Sequence, residues 1–116
     1  MKKLMLMISI IILISISACE RWFTTAVRYE VQCYPPGFSV IYTSGHGDLE
    51  DEVIKGSDWN KEILVEDDIT SVLLWATSDS CYNALDSITG RIYVDDNLED
   101  EDVSKFLGDV ILSVEL

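Results

Sequence analysis

Val27-Arg28-Tyr29-Glu30-Val31-Gln32-Cys33 alternates apolar and polar side chains along its whole length. Successive side chains of a strand point to opposite faces. This period of two therefore predicts a strand with Val27, Tyr29, Val31 and Cys33 buried and Arg28, Glu30 and Gln32 facing water. Pro35-Pro36-Gly37 ends the run. Further along, Phe38 to Thr43 is a second β-branched and aromatic stretch. Ser44-Gly45-His46-Gly47-Asp48 has the chemistry of a turn, with two glycines able to take positive φ. Glu50 to Ile54 reads as a polar strand returning along a sheet edge, where charge discourages pairing with other chains.

The same alternation continues beyond the next turn, Lys55-Gly56-Ser57-Asp58. Trp59, Ile63 and Val65 share one face of a strand closed by Glu66-Asp67-Asp68. Ser71 to Thr77 is almost continuously apolar, the pattern of a central strand covered on both sides with Trp75 in the core. A polar loop, Ser78-Asp79-Ser80-Cys81-Tyr82-Asn83, precedes a strand from Ile88 to Val94. Val110, Leu112, Val114 and Leu116 alternate at the end of the chain. Asp95 to Gly108 has two readings. It is a helix with Val103, Phe106 and Leu107 on one face, Asp102 as cap and Gly108 as stop. Or Asp95-Asp96-Asn97 is a tight hairpin turn before a partly paired strand from Leu98 to Phe106. Strand signals at intervals of roughly ten residues predict an all-β fold: an immunoglobulin-like antiparallel β-sandwich of about seven strands after an N-terminal signal segment.

The start of the chain has a different character. Met1-Lys2-Lys3 is a short basic region, Leu4 to Ile16 is apolar apart from Ser9 and Ser15, and Ile16-Ser17-Ala18-Cys19 follows. A basic start, an apolar core and small residues before a cut make up a secretory signal. The apolar stretch is shorter than the roughly 20 residues a permanent span requires. Its end resembles the bacterial lipobox. That resemblance implies cleavage between Ala18 and Cys19, lipid on the Cys19 sulfur and acylation of the new N-terminus, and several acyl chains give stable anchoring. The alternative is an uncleaved anchor in which Cys19 is a passive thiol. The expected organisation is a lipoprotein signal peptide over residues 1–18, a lipidated tether over 19–26 and a sandwich over 27–116. The lipobox points to the bacterial cell membrane or outer membrane, with the domain in an exported compartment.

Charge narrows the classes of partner. The chain of 116 residues has a formal net charge of −13. From Cys19 onward six basic residues stand against 21 acidic ones, a formal charge of −15. Such a domain repels phosphate backbones and anionic headgroups, which argues against nucleic acid and against a polybasic membrane patch. One His and three Cys are too few for a zinc centre of the usual kind.

Several strand motifs together carry a family likeness: Tyr29-Glu30-Val31, Val40-Ile41-Tyr42-Thr43, Trp59 entering the following strand, Leu74-Trp75-Ala76 and Gly90-Arg91-Ile92-Tyr93-Val94-Asp95. In this respect residues 27–116 resemble the small β-sandwich accessory proteins of mycobacterial membrane transport (MmpS-like) and single-domain lipoproteins of Bacteroidetes. The resemblance implies an exported, membrane-tethered, non-catalytic sandwich, in its best-known branch a partner of a transport protein, and it supplies no catalytic residues; no cofactor is expected. Two positions depart from the pattern. Asp96 stands where a glycine is usual in the late hairpin, and Asp58 where a proline commonly precedes the tryptophan.

Cys33 and Cys81 are the pair left once Cys19 is lipidated. An exported compartment permits a disulfide between them, which would stabilise the fold by about 4 kcal/mol in the chain-entropy model; the alternative is two separate thiols. Ser44, His46 and Asp48 sit in one tight turn, whereas a catalytic triad converges from separate elements around an oxyanion hole. The acidic groups Glu66-Asp67-Asp68, Asp95-Asp96 and Glu99-Asp100-Glu101-Asp102 offer hard oxygen ligands to calcium. An EF-hand is excluded, because its glycine position holds Asp100 and its bidentate glutamate position holds Phe106. Trp59, Trp75, Tyr82 and Tyr93 are candidates for a sugar-stacking platform or for the core. The sequence therefore supports a non-catalytic binding or accessory subunit that has the membrane and an envelope protein as partners. Its alternative is a glycan- or calcium-binding module at the cell surface.

Overall fold

A computed structural model describes residues 23–78, 86–105 and 108–116. They form eight strands: β1 (Phe23–Tyr34), β2 (Phe38–Thr43), β3 (Leu49–Ile54), β4 (Asp58–Glu66), β5 (Ser71–Ser78), β6 (Ser87–Val94), β7 (Asn97–Lys105) and β8 (Asp109–Glu115). Two four-stranded antiparallel sheets, β4-β1-β6-β7 and β3-β2-β5-β8, pack face to face. The hairpins β2–β3 and β6–β7 stay within a sheet, and the other connections cross between sheets. The fold is an immunoglobulin-like β-sandwich, with eight strands where about seven were expected.

The additional strand is β7, which settles the two readings of Asp95 to Gly108 in favour of the hairpin. Val94 pairs with Asn97, so Asp95-Asp96 is a two-residue loop. Both aspartates take positive φ, 49° and 66°. That mirror-image turn matches the right-handed twist of the flanking strands; Asp is among the residues that enter it, while Gly is the favoured residue at its second position. Asp95 is held from both sides: its N–H donates to the Ala26 carbonyl (2.8 Å), and its Oδ1 accepts from the Ala26 N–H (3.2 Å). The register of β6 against β7 slips between Ile92 and Tyr93, which makes Glu99 an extra residue in a bulge.

The core follows the predicted alternation. Val27, Tyr29, Val31 and Cys33 of β1 are buried, as are Phe38, Val40 and Tyr42 of β2 and Val110, Leu112 and Val114 of β8. Gly90 sits at a close approach of the two sheets. A Cβ there would lie 3.0 Å from Leu112 Cδ1 and 3.0 Å from Val110 Cγ2. The Tyr42 ring packs between Tyr29 and Trp59, with centroids at 5.5 and 5.4 Å. Its hydroxyl reaches the mouth of the sandwich and lies 3.0 Å from Glu50 Oε2 and 2.9 Å from Glu52 Oε2.

The reading of β5 as covered on both faces is overturned. Val72, Leu74 and Ala76 are buried, but Trp75 points to the other side and is 40% exposed. An open sandwich buries one face of each sheet, so an apolar residue of odd parity in a central strand lies on the outside.

Candidate functional site

The outer face of sheet β3-β2-β5-β8 exposes large apolar side chains on its central as well as its edge strands. Residues paired across neighbouring strands share a face. Pairing of Ile41 with Trp75 and of Trp75 with Ile111 therefore lays three large apolar side chains in one row across β2, β5 and β8. Ile111 is 61% exposed, and Val53 and Leu49 of β3 on the same face are 74% and 62% exposed. Acidic residues frame the row: Asp51 pairs with Ile41 on the β3 side, while Asp109 and Glu115 close the two ends of β8.

The outer face of the other sheet exposes Leu64, Leu98 and Val103 on its edge strands, but its two central strands carry an ion-pair network. Arg28 of β1 lies over the Tyr93 ring, 4.1 Å from its centroid, and bonds to Glu30 Oε2 (3.2 Å) and Asp96 Oδ1 (3.3 Å). Arg91 bonds to Glu101 and reaches Gln32. The hydrogen bond to Glu101 holds the Arg91 guanidinium above its ordinary pKa. Both cations are thus engaged by carboxylates within this face. A depression beside Arg28 is lined by Glu62, Asp96, Ile63 and Leu64, with no second basic group among the described residues.

The residues singled out from the sequence are dispersed. Ala18, Cys19, Cys81 and Tyr82 lie outside the described residues. Cys33 is buried at the end of β1, its Sγ 3.3 Å from the Pro35 carbonyl oxygen. The proposed Cys33–Cys81 bond therefore falls partly outside what is described. The turn 44–48 is knit to itself: Ser44 N–H donates to the Asp48 carbonyl (2.7 Å), and Ser44 Oγ accepts from the His46 N–H (3.3 Å). The His46 ring meets the Glu66 carboxylate. Among the described residues no group of three or more His, Cys, Asp or Glu is gathered in metal-binding geometry. Trp59 packs against the core, Tyr93 lies on one outer face and Trp75 on the other, so they form no common platform.

The apolar row was missed in the sequence because Ser71 to Thr77 is apolar at both parities. The signal that finds it is strand order: with Leu74 and Ala76 inward, Trp75 must face outward. Among the described residues no helix is long and apolar enough to cross a membrane. No protein-family model matches the chain, and no curated protein matches it.

Proposed function

We propose that the chain is a non-catalytic cell-envelope lipoprotein, anchored through Cys19, whose sandwich is an accessory or binding subunit of another envelope protein, on the pattern of transport accessory proteins. The observation that carries this reading is the row Ile41–Trp75–Ile111, flanked by Val53. Exposed large apolar side chains that adjoin across strands are the chemistry of a protein interface, where aromatic residues are enriched and supply much of the binding energy. The acidic frame selects a partner whose rim is basic and rejects anionic lipid.

Cross-linking of the tethered protein in its native envelope tests the reading, with captured species identified by mass spectrometry. A recurrent stoichiometric membrane protein, lost on Trp75→Ala and retained on Thr89→Ala on the opposite face, supports it. Recovery of lipid and abundant neighbours alone removes it, and glycan and calcium binding then become the readings to pursue.

A further inference from the structure

The sandwich has four edge strands, and three are blocked against further pairing. β3 carries Glu50, Asp51 and Glu52 in succession, β4 carries Lys61 and Glu62 at its middle, and β7 has the Glu99 bulge with Asp100 and Asp102 paired opposite the inward Ile92 and Gly90. Mid-strand charges, inward-pointing charges and bulges are the devices by which proteins keep sheet edges from joining other chains. β8 has none of these. Between Asp109 and Glu115 it reads Val-Ile-Leu-Ser-Val, and its register against β5 runs without a slip from Thr77↔Asp109 to Ser71↔Glu115.

The hydrogen-bond phase of β8 follows from its two ends. Leu116 N–H donates to the Thr70 carbonyl (2.8 Å), and Ser78 N–H donates to the Gly108 carbonyl (2.6 Å). In an antiparallel ladder hydrogen-bonded pairs alternate with non-bonded ones. Val110, Leu112 and Val114 therefore spend their backbone groups on β5. Asp109, Ile111, Ser113 and Glu115 turn theirs to the free edge, on which no other described strand lies. The side chains of those same residues lie on the outer face, in line with Trp75 and Leu73.

We infer that β8 is a strand-addition site: a partner protein lays an extended segment antiparallel along it, with apolar residues opposite Ile111 and Ser113 and basic residues opposite Glu115 and Asp109. This rests on the accessory-subunit reading and adds the mode of contact and the partner's chemistry. Main-chain bonds to the residue 111 and 113 backbones supply affinity, and alternate side chains supply specificity. The added strand extends the apolar row by one position, and its opposite face comes beside Asp100 and Asp102 of β7, which favours further positive charge. A second copy of this chain is disfavoured in the register that uses the whole strand. Antiparallel pairing of β8 with itself in the register that sets Ile111 against Ser113 places Asp109 against Glu115 twice, and like charges directly opposite destabilise a sheet.

The test uses the full chain in detergent micelles with two blocked synthetic peptides, RTVTVTR and its acidic twin ETVTVTE, followed by amide hydrogen exchange and amide NMR shifts. The expected result is slowed exchange at the Ile111 and Ser113 amides with the basic peptide, and at least about tenfold weaker binding of the acidic one. Ser113→Pro should abolish the effect, because it removes an edge-facing N–H and no bond to β5. Ile111→Glu, at an exposed side chain, should do the same should the proline variant fold poorly. Unchanged β8 amides, equal binding of both peptides, or protection that appears with protein concentration alone overturns the proposal. Envelope cross-linking remains the separate measure of the accessory reading: a partner captured in full by Ser113→Pro would leave that reading standing without this site.

Discussion

The phenolic hydroxyl of Tyr29, in β1, donates to the backbone carbonyl of Thr43, at the end of β2, across a distance of 2.8 Å. The bond joins the two sheets inside the core, since Tyr29 is fully buried and Thr43 is 6% exposed. Tyr29→Phe leaves that carbonyl without its partner in a place water does not reach. The expected cost is about 1–3 kcal/mol. In a domain of this size that is a fall in Tm of about 4 °C or more, read by thermal denaturation of both proteins.

Tyr42 gives the fold a sensitivity to alkali. Burial, reinforced by hydrogen bonds to Glu52 and Glu50 and by their charge, pushes its phenol well above the ordinary range. Burial likewise pushes Tyr29 up, against the pull of its bond to Thr43. A folded-state pKa above the unfolded one means that this stabilisation is complete below the unfolded value of about 10 and is lost as pH rises toward the folded value. The urea midpoint should therefore hold steady up to about pH 10 and fall above it. Tyr42→Phe should start lower and fall less steeply over the same range.

The Asp95-Asp96 turn leaves room for improvement. Both residues occupy a left-handed conformation in which Asn at the first position and Gly at the second are the favoured pair. Asp95→Asn with Asp96→Gly keeps a side-chain oxygen for the Ala26 N–H and loses the exposed contact between Asp96 and Arg28. Because an exposed ion pair contributes little, the double variant should melt higher, by about 3 °C, in a calorimetric scan.

Gly90 predicts the opposite sign. Its missing side chain is what lets Val110 and Leu112 of the facing sheet approach. Gly90→Ala should destabilise by about 1–3 kcal/mol through overpacking, and Gly90→Val by more, as measured by urea unfolding.

Much of this architecture was legible because burial in a sandwich writes a period of two into the chain. Val27 to Cys33 and Val110 to Val114 are read correctly from that alternation alone. β7 was not, because it inverts the rule: Asp100 and Asp102 pair opposite Ile92 and Gly90 of the inward face, while Leu98 and Val103 face out at 50% and 49% exposure. An edge strand protected by inward charge looks, in sequence, like a capped helix. Trp75 was misplaced for a related reason. Composition says how apolar a strand is, but only the sheet's neighbours say which of its faces is covered. The candidate interface depends on that second fact, so no motif announced it.

β1 begins at Phe23, only four residues after Cys19. With Cys19 acylated, as proposed, the leash of four residues from lipid to sandwich can reach no further than about 14 Å. The end of the domain nearest that leash holds the turns bearing Asp48, Asp67, Asp68, Asp95 and Asp96, together with Glu66 and Glu115. Anionic headgroups repel such a collar over a Debye length of about 10 Å at 0.1 M salt. A short leash that pulls and a charged collar that pushes act along the same axis. Under the proposed anchoring, the two together would stand the sandwich upright on the bilayer, with the strands along the membrane normal and the β8 edge presented sideways, at the height of whatever protrudes from the membrane beside it.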